Sequence, residues 1–149
     1  MIAFSPRSPE RSWGTVSFAS TLRLCPILDL LLSDIPSEWR AELRLGLQEA
    51  LVNAAKHGNN LDPNKTILVR FSIVENVHWW VISDQGSGFE PPCLCDIDII
   101  TQNPQEVGEQ GRGLYILRRI FDQVDWDNHG TELKLCKRVK NCSALPLVR

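Results

Sequence analysis

No apolar run in this chain reaches the about 18 residues that a membrane-crossing helix needs. The longest candidate, Ile27 to Leu32, is interrupted by Asp29. An excess of one charge is also missing: 16 Lys and Arg stand against 18 Asp and Glu, for a formal net charge of -2. That balance gives no general drive toward nucleic acid or an anionic membrane. A paired cysteine framework is lacking too. The five Cys include a Cys93-x-Cys95 pair but no CxxC, and no His stands at zinc-ligand spacing from a Cys. This argues against a structural zinc site and for free thiols in a reducing compartment. The first residues scatter Pro6, Arg7, Pro9 and Arg11 among polar side chains, without the continuous apolar stretch of a secretory signal. The expected location is the cytoplasm. What is present is 149 residues, 43% of them hydrophobic and 23% charged. That suits one domain at a prior of about 150 residues per domain, and it excludes wholesale disorder.

Residues 1–14 read as a loose polar tail and 140–149 as a patternless C-terminal tail, leaving 15–139 as the domain. Within it, Val16, Phe18, Leu22 and Leu24 predict a first strand over Thr15 to Leu24, and Pro26 opens a short helix over Ile27 to Leu32. Ser37 is placed to cap a helix from Glu38 to His57 that ends at Gly58. Leu43, Leu47, Ala50, Leu51 and Ala54 form its apolar face, while Leu45, Glu49, Asn53 and Lys56 form a second stripe. Two β-branched and aromatic runs, Ile67 to Val74 and Val77 to Ile82, flank Glu75-Asn76 and predict a tight hairpin. In the second run Trp79 and Trp80 alternate, one toward the core and the other available to an interface. Glu90 to Gln110 shows no periodicity and reads as a functional loop. A helix over Leu114 to Phe121 follows, with Arg118 and Arg119 on its solvated face, then strands Val124 to Asp127 and Thr131 to Val139. The order β-α-α-β-β-loop-α-β-β implies an α+β, two-layer sandwich: a mixed, mostly antiparallel sheet with helices on one face.

Three polar or glycine clusters interrupt these elements. Glu49-x-x-x-Asn53 brings a carboxylate and a carboxamide together on one helix face, which suits a hard cation or an activated hydroxyl. Asp84-x-Gly86-x-Gly88 places a hydrogen-bond acceptor at the end of a strand, next to glycines that permit close backbone approach. Gly111-Arg112-Gly113 opens a helix, where free N–H groups and a positive dipole end favour phosphate. Each alone is commonplace. The three in this order and element context are not.

Their arrangement resembles the ATP-binding fold shared by gyrase, heat-shock chaperones and histidine kinases, the Bergerat fold of the GHKL superfamily. Glu49 to Asn59 is similar to its N box, Asp84 to Phe89 to its G1 box, Gly111 to Leu114 to its G2 box, and Gly130-Thr131 to its last short motif. The resemblance spans about Thr15 to Val139. Only 48 residues precede Glu49 and no His precedes His57, so the phosphoacceptor hairpin of a sensor kinase finds no place in this sequence. The stand-alone anti-sigma-factor serine kinases match best. The resemblance implies that Glu49 is the general base and that Asn53 ligates Mg²⁺ on ATP. It implies that Asp84 accepts the adenine amino group with Thr131 in support, and that Gly86 and Gly88 shape the base pocket. Gly111, Arg112 and Gly113 would wrap the phosphates, Glu90 to Gln110 would form a lid, and Lys56 lies on the stripe that could reach a phosphate. The implied partners are a sigma factor and an antagonist (anti-anti-sigma) protein phosphorylated on serine, with the kinase as a homodimer. The alternative is a nucleotide-binding module that sequesters its partner without kinase activity.

Overall fold

A computed structural model describes residues 12–88 and 109–139. The predicted tails and the lid fall outside the described residues, apart from the first residues ahead of β1 and the end of the lid segment at Glu109 and Gln110. Among the described residues five strands, β1 (Gly14–Ala19), β2 (Thr66–Val74), β3 (Val77–Ser83), β4 (Gln123–Asp127) and β5 (Glu132–Arg138), form one sheet in the order β1-β2-β3-β5-β4. All four pairings are antiparallel, so the mostly antiparallel sheet expected from the two hairpins is antiparallel throughout the described residues. Helices α1 (Cys25–Leu31), α2 (Ser37–Val52) and α3 (Glu109–Ile120) supply the second layer.

Register decides which side of the sheet they cover. Val69 pairs with Ile82, Phe71 with Trp80, and those β3 positions pair with Leu133 and Leu135 of β5. With period-2 alternation, these side chains share one face. Leu43, Leu47 and Leu51 of α2 and Leu117 of α3 complete the core, each with no exposure. Trp80 meets the edge of Phe121 at 5.7 Å between ring centres, a favourable aromatic geometry that fixes the end of α3 against the sheet. Of the tryptophan pair, Trp80 is therefore the core residue and Trp79 lies on the opposite face, half-buried. The β2–β3 hairpin turns on Glu75 and Asn76, with φ of 49° and 67°, the left-handed pair that tight hairpin turns require. No helix among the described residues is long and apolar enough to cross a membrane.

Three local expectations are corrected. The first strand ends at Ala19: Leu24 is buried at the N-cap of α1, while Leu22 is 53% exposed, so their apolar character reports a loop and a cap position. Ser37 is the first residue of α2 and makes no capping bond; Pro36 holds the N-cap position in extended geometry. The second helix stays α-helical only to Val52, then widens into a π-helical turn over Asn53–Gly58. Periodicity cannot reveal that widening, because it is closed by backbone bonds: the Asn59 N–H donates to the Ala54 carbonyl at 2.9 Å and the Leu61 N–H to Ala55 at 2.8 Å.

Candidate functional site

The π turn begins at Asn53, one helical turn after Glu49, and both side chains are half-buried. Opposite them stands Gly113 of α3. A Cβ on Gly113 would lie 3.0 Å from Asn53 Nδ2 and 3.3 Å from Glu49 Oε2, so only a bare backbone passes here without displacing both groups. The glycine cluster does not open its helix as its sequence suggests. The helix starts at Glu109, which places Gly113 beyond the residues whose amides lack an intrahelical acceptor. Its contribution is close packing. Gly111 and Arg112 lie just before it in the opening turns of α3.

β3 ends at Ser83, and Asp84 extends the β3–β5 pairing by one bond, its N–H donating to the Thr131 carbonyl at 2.9 Å. The Asp84 carboxylate rests on the backbone of Gly58, where any Cβ would overlap it, and its Oδ1 accepts the Gly86 N–H at 2.8 Å. Gly86 itself packs on the Gly58 carbonyl without room for a side chain. Burial pushes the Asp84 carboxyl above the usual carboxylate range, while the Gly86 N–H and the nearby Lys65 pull it back. Gly88, at φ 83°, is left-handed and faces the His129 carbonyl of the β4–β5 connection. That connection is a short 3-10 turn, Asn128–Gly130, with three left-handed residues in succession. The Thr131 hydroxyl donates to the Asn128 carbonyl at 2.9 Å while the Thr131 carbonyl accepts the Asp84 N–H, so Thr131 ties the β4–β5 connection to the Asp84 segment.

Between these groups lies a cleft open to solvent. Its apolar walls are Ala50, Ala54, Ile82, Leu114, Trp126 and Leu133, and its polar groups include Asn53, His57, Asp84 and Thr131. Of the residues singled out in the sequence, Asn53, Asp84, Gly88 and Thr131 line this cleft. Glu49 and Gly113 adjoin it at Asn53, and Gly86 forms the ledge beneath Asp84. Lys56 sits on the π turn, half-buried, outside the cleft lining. Among the described residues no three His, Cys, Asp or Glu side chains cluster to hold a metal by themselves. The oxygens of Asn53 and Glu49 fit a hard divalent ion that takes its other ligands from phosphate and water, the habit of Mg²⁺.

Two contributors have no role assigned from the sequence, although Asn59 closes the segment that resembles the N box. Trp126 supplies an aromatic wall, but in β4 it reads only as one more strand residue. Asn59 has no exposure and bonds three separate segments, whereas a polar residue after His-Gly reads as the start of a turn.

The profile of the family described as histidine kinase-like ATPase domain matches residues 27–137, from α1 through β5. Among individual proteins, the anti-sigma F factor of Geobacillus thermodenitrificans (strain NG80-2) is 28% identical over 148 residues, covering 97% of this chain and 94% of that protein. The anti-sigma F factor of Bacillus subtilis (strain 168) is 26% identical over the same span and with the same coverage. The serine-protein kinase RsbW of Bacillus subtilis (strain 168) is 28% identical over 91 residues, 59% of this chain and 57% of that one. With its sheet, its cleft and a family match over most of its length, the chain belongs to the histidine kinase-like ATPase domains.

Proposed function

We propose that this chain is an ATP- and Mg²⁺-dependent protein serine kinase of the anti-sigma type, working in the cytoplasm as a homodimer. It sequesters a sigma factor and phosphorylates a serine of the antagonist protein that would otherwise release that factor. The nucleotide domain is residues 15–139. Similarity to proteins named anti-sigma F factor and serine-protein kinase supports the reading. The observation that carries it is the approach of Gly113 to Glu49 and Asn53 at one end of a cleft whose other end holds Asp84.

The chemistry follows from those positions. Asp84 accepts a hydrogen bond from the exocyclic amine of adenine, a donor that guanine lacks at that position. Ile82, Leu133 and Trp126 wall the base, and Gly86, Gly88 and Thr131 shape its edge. The opening turns of α3, with Gly111, Arg112 and Gly113, border the phosphate end, and Lys56 adds a cation nearby. Asn53 would hold Mg²⁺, which would supply charge neutralisation to the phosphates. Glu49 takes the proton from the substrate serine hydroxyl as that oxygen attacks the γ-phosphorus. The bond to the bridging oxygen breaks, and ADP leaves. Phosphoryl transfer asks mainly for placement and charge balance, which these few groups provide.

The test is incubation with labelled ATP, Mg²⁺ and candidate antagonist proteins. Phosphoserine on one antagonist, lost in Glu49→Gln with nucleotide binding retained, is the expected result. Nucleotide binding without labelling of any antagonist would select the sequestering module that does no chemistry.

A further inference from the structure

Asn59, Thr66 and Gln85 are joined in a closed circuit of hydrogen bonds. The Asn59 Nδ2 amide donates to the Thr66 carbonyl at 2.9 Å, and the Thr66 N–H donates to Gln85 Oε1 at 2.8 Å. The Gln85 N–H returns to Asn59 Oδ1 at 2.7 Å. A fourth bond, Asn59 Nδ2 to Ser20 Oγ at 2.8 Å, ties in the end of β1, and Ser20 Oγ donates onward to the Lys65 carbonyl at 3.0 Å. Three segments distant in sequence are thereby locked at one fully buried side chain.

The placement of the circuit gives it a further consequence. Asn59 directly follows Gly58, the backbone on which the Asp84 carboxylate rests, and Gln85 directly follows Asp84. The Asn59 N–H also closes the π turn that begins at Asn53. One residue therefore spaces the segment carrying Asn53 from the segment carrying Asp84. We propose that Asn59 and Gln85 are positioning residues for base recognition, holding the Asp84 carboxylate where an exocyclic amine must meet it. This rests on the proposed adenine site. It concerns a hydrogen bond that both residues influence without touching the base.

The circuit also predicts an asymmetry in what position 85 tolerates. Gln85 contributes an acceptor oxygen to the Thr66 N–H, so a carboxylate can replace the amide while an isosteric thioether cannot. Gln85 is exposed, so its replacement leaves the core untouched.

The experiment is calorimetric binding of ATP and of inosine triphosphate, which carries a carbonyl where adenine carries its amine. It compares the unaltered protein with Asn59→Ala, Gln85→Met and Gln85→Glu. The unaltered protein is expected to prefer ATP; absence of that preference would refute the Asp84 assignment itself. Given the preference, Asn59→Ala and Gln85→Met should each lose about tenfold in ATP affinity, the equivalent of one poorly made hydrogen bond. Inosine triphosphate binding should stay within about twofold, and Gln85→Glu should retain the preference. An equal loss for both nucleotides would mean that the circuit only supports the fold, and would overturn the proposal. So would a preference unchanged in Gln85→Met, the variant that decides the matter if Asn59→Ala does not fold.

Discussion

The carboxylate of Asp84 lies directly on the backbone of Gly58, across the gap between the end of β3 and the end of the helical layer. That contact sets the width of the cleft at its base. Gly58→Ala is therefore expected to drive Asp84 off its seat. Overpacking there should cost about 1–3 kcal/mol of stability, read from urea unfolding, and ATP affinity should fall by about tenfold or more. A variant with unchanged affinity would show that the carboxylate does not contribute to binding from this position.

Burial holds the Asp84 carboxyl above the ordinary aspartate value of 3.8. The sign of the consequence is fixed. Ionised Asp84 is the better acceptor, so ATP affinity should decline as pH falls from neutrality, beginning above the usual aspartate range. Inosine triphosphate binding should stay flatter over the same interval. Stability runs the opposite way: a raised carboxyl favours the folded state below the unfolded value, and that advantage is lost as pH rises through the folded one. Asp84→Asn is thus expected to match or exceed the parent in thermal midpoint at neutral pH while binding ATP less well. A lower midpoint would contradict the assigned burial cost.

His78 is buried and stacked on Trp80 at 5.8 Å, and burial lowers its pKa from 6.5 against the opposing charge of Asp34. The folded state prefers the neutral ring. Its contribution is present above pH 6.5 and is lost as the pH falls below that value toward the folded pKa. Denaturation followed from neutral to mildly acidic pH should show this slope, and His78→Phe should flatten it.

Ser72 is buried on the face of β2 turned away from the helices, and its Oγ has no hydrogen-bond partner among the described residues. Removing an unsatisfied hydroxyl relieves a desolvation cost without opening a large cavity. Ser72→Ala is expected to raise stability by about 0.5–1 kcal/mol, measurable as a shift in urea midpoint at constant slope. A loss of similar size would reveal a partner for the hydroxyl.

The element order was legible because β2 and β3 are dense in β-branched and aromatic residues and because α2 repeats Leu43, Leu47, Leu51 with helical spacing. The glycine and acid clusters stood out in the sequence, and the fold brings Asn53, Asp84, Gly88 and Thr131 to one cleft. What sequence could not carry was anything decided across the fold. Asn59 looks like a turn residue until the Ser20, Thr66 and Gln85 segments close around it. Gly113 looks like a helix start until α3 is found to begin four residues earlier and to press that glycine on Glu49 and Asn53. The π turn has no periodic signature, since six residues from Asn53 to Gly58 are too few to display one.

The sheet order β1-β2-β3-β5-β4 also has a kinetic reading. The β2–β3 and β4–β5 pairs are local hairpins, each able to form early, but β3 meets β5 only after the long intervening stretch has been drawn in. The cleft straddles that seam, with Ile82 and Asp84 on one side and Thr131 and Leu133 on the other. A molecule bound there acts as a staple across the last-joined edges. It should slow the opening of the β3–β5 seam more than the fraying of either hairpin, so amide exchange at the paired residues Ile82 and Leu133 would report occupancy more sensitively than exchange within the β2–β3 turn.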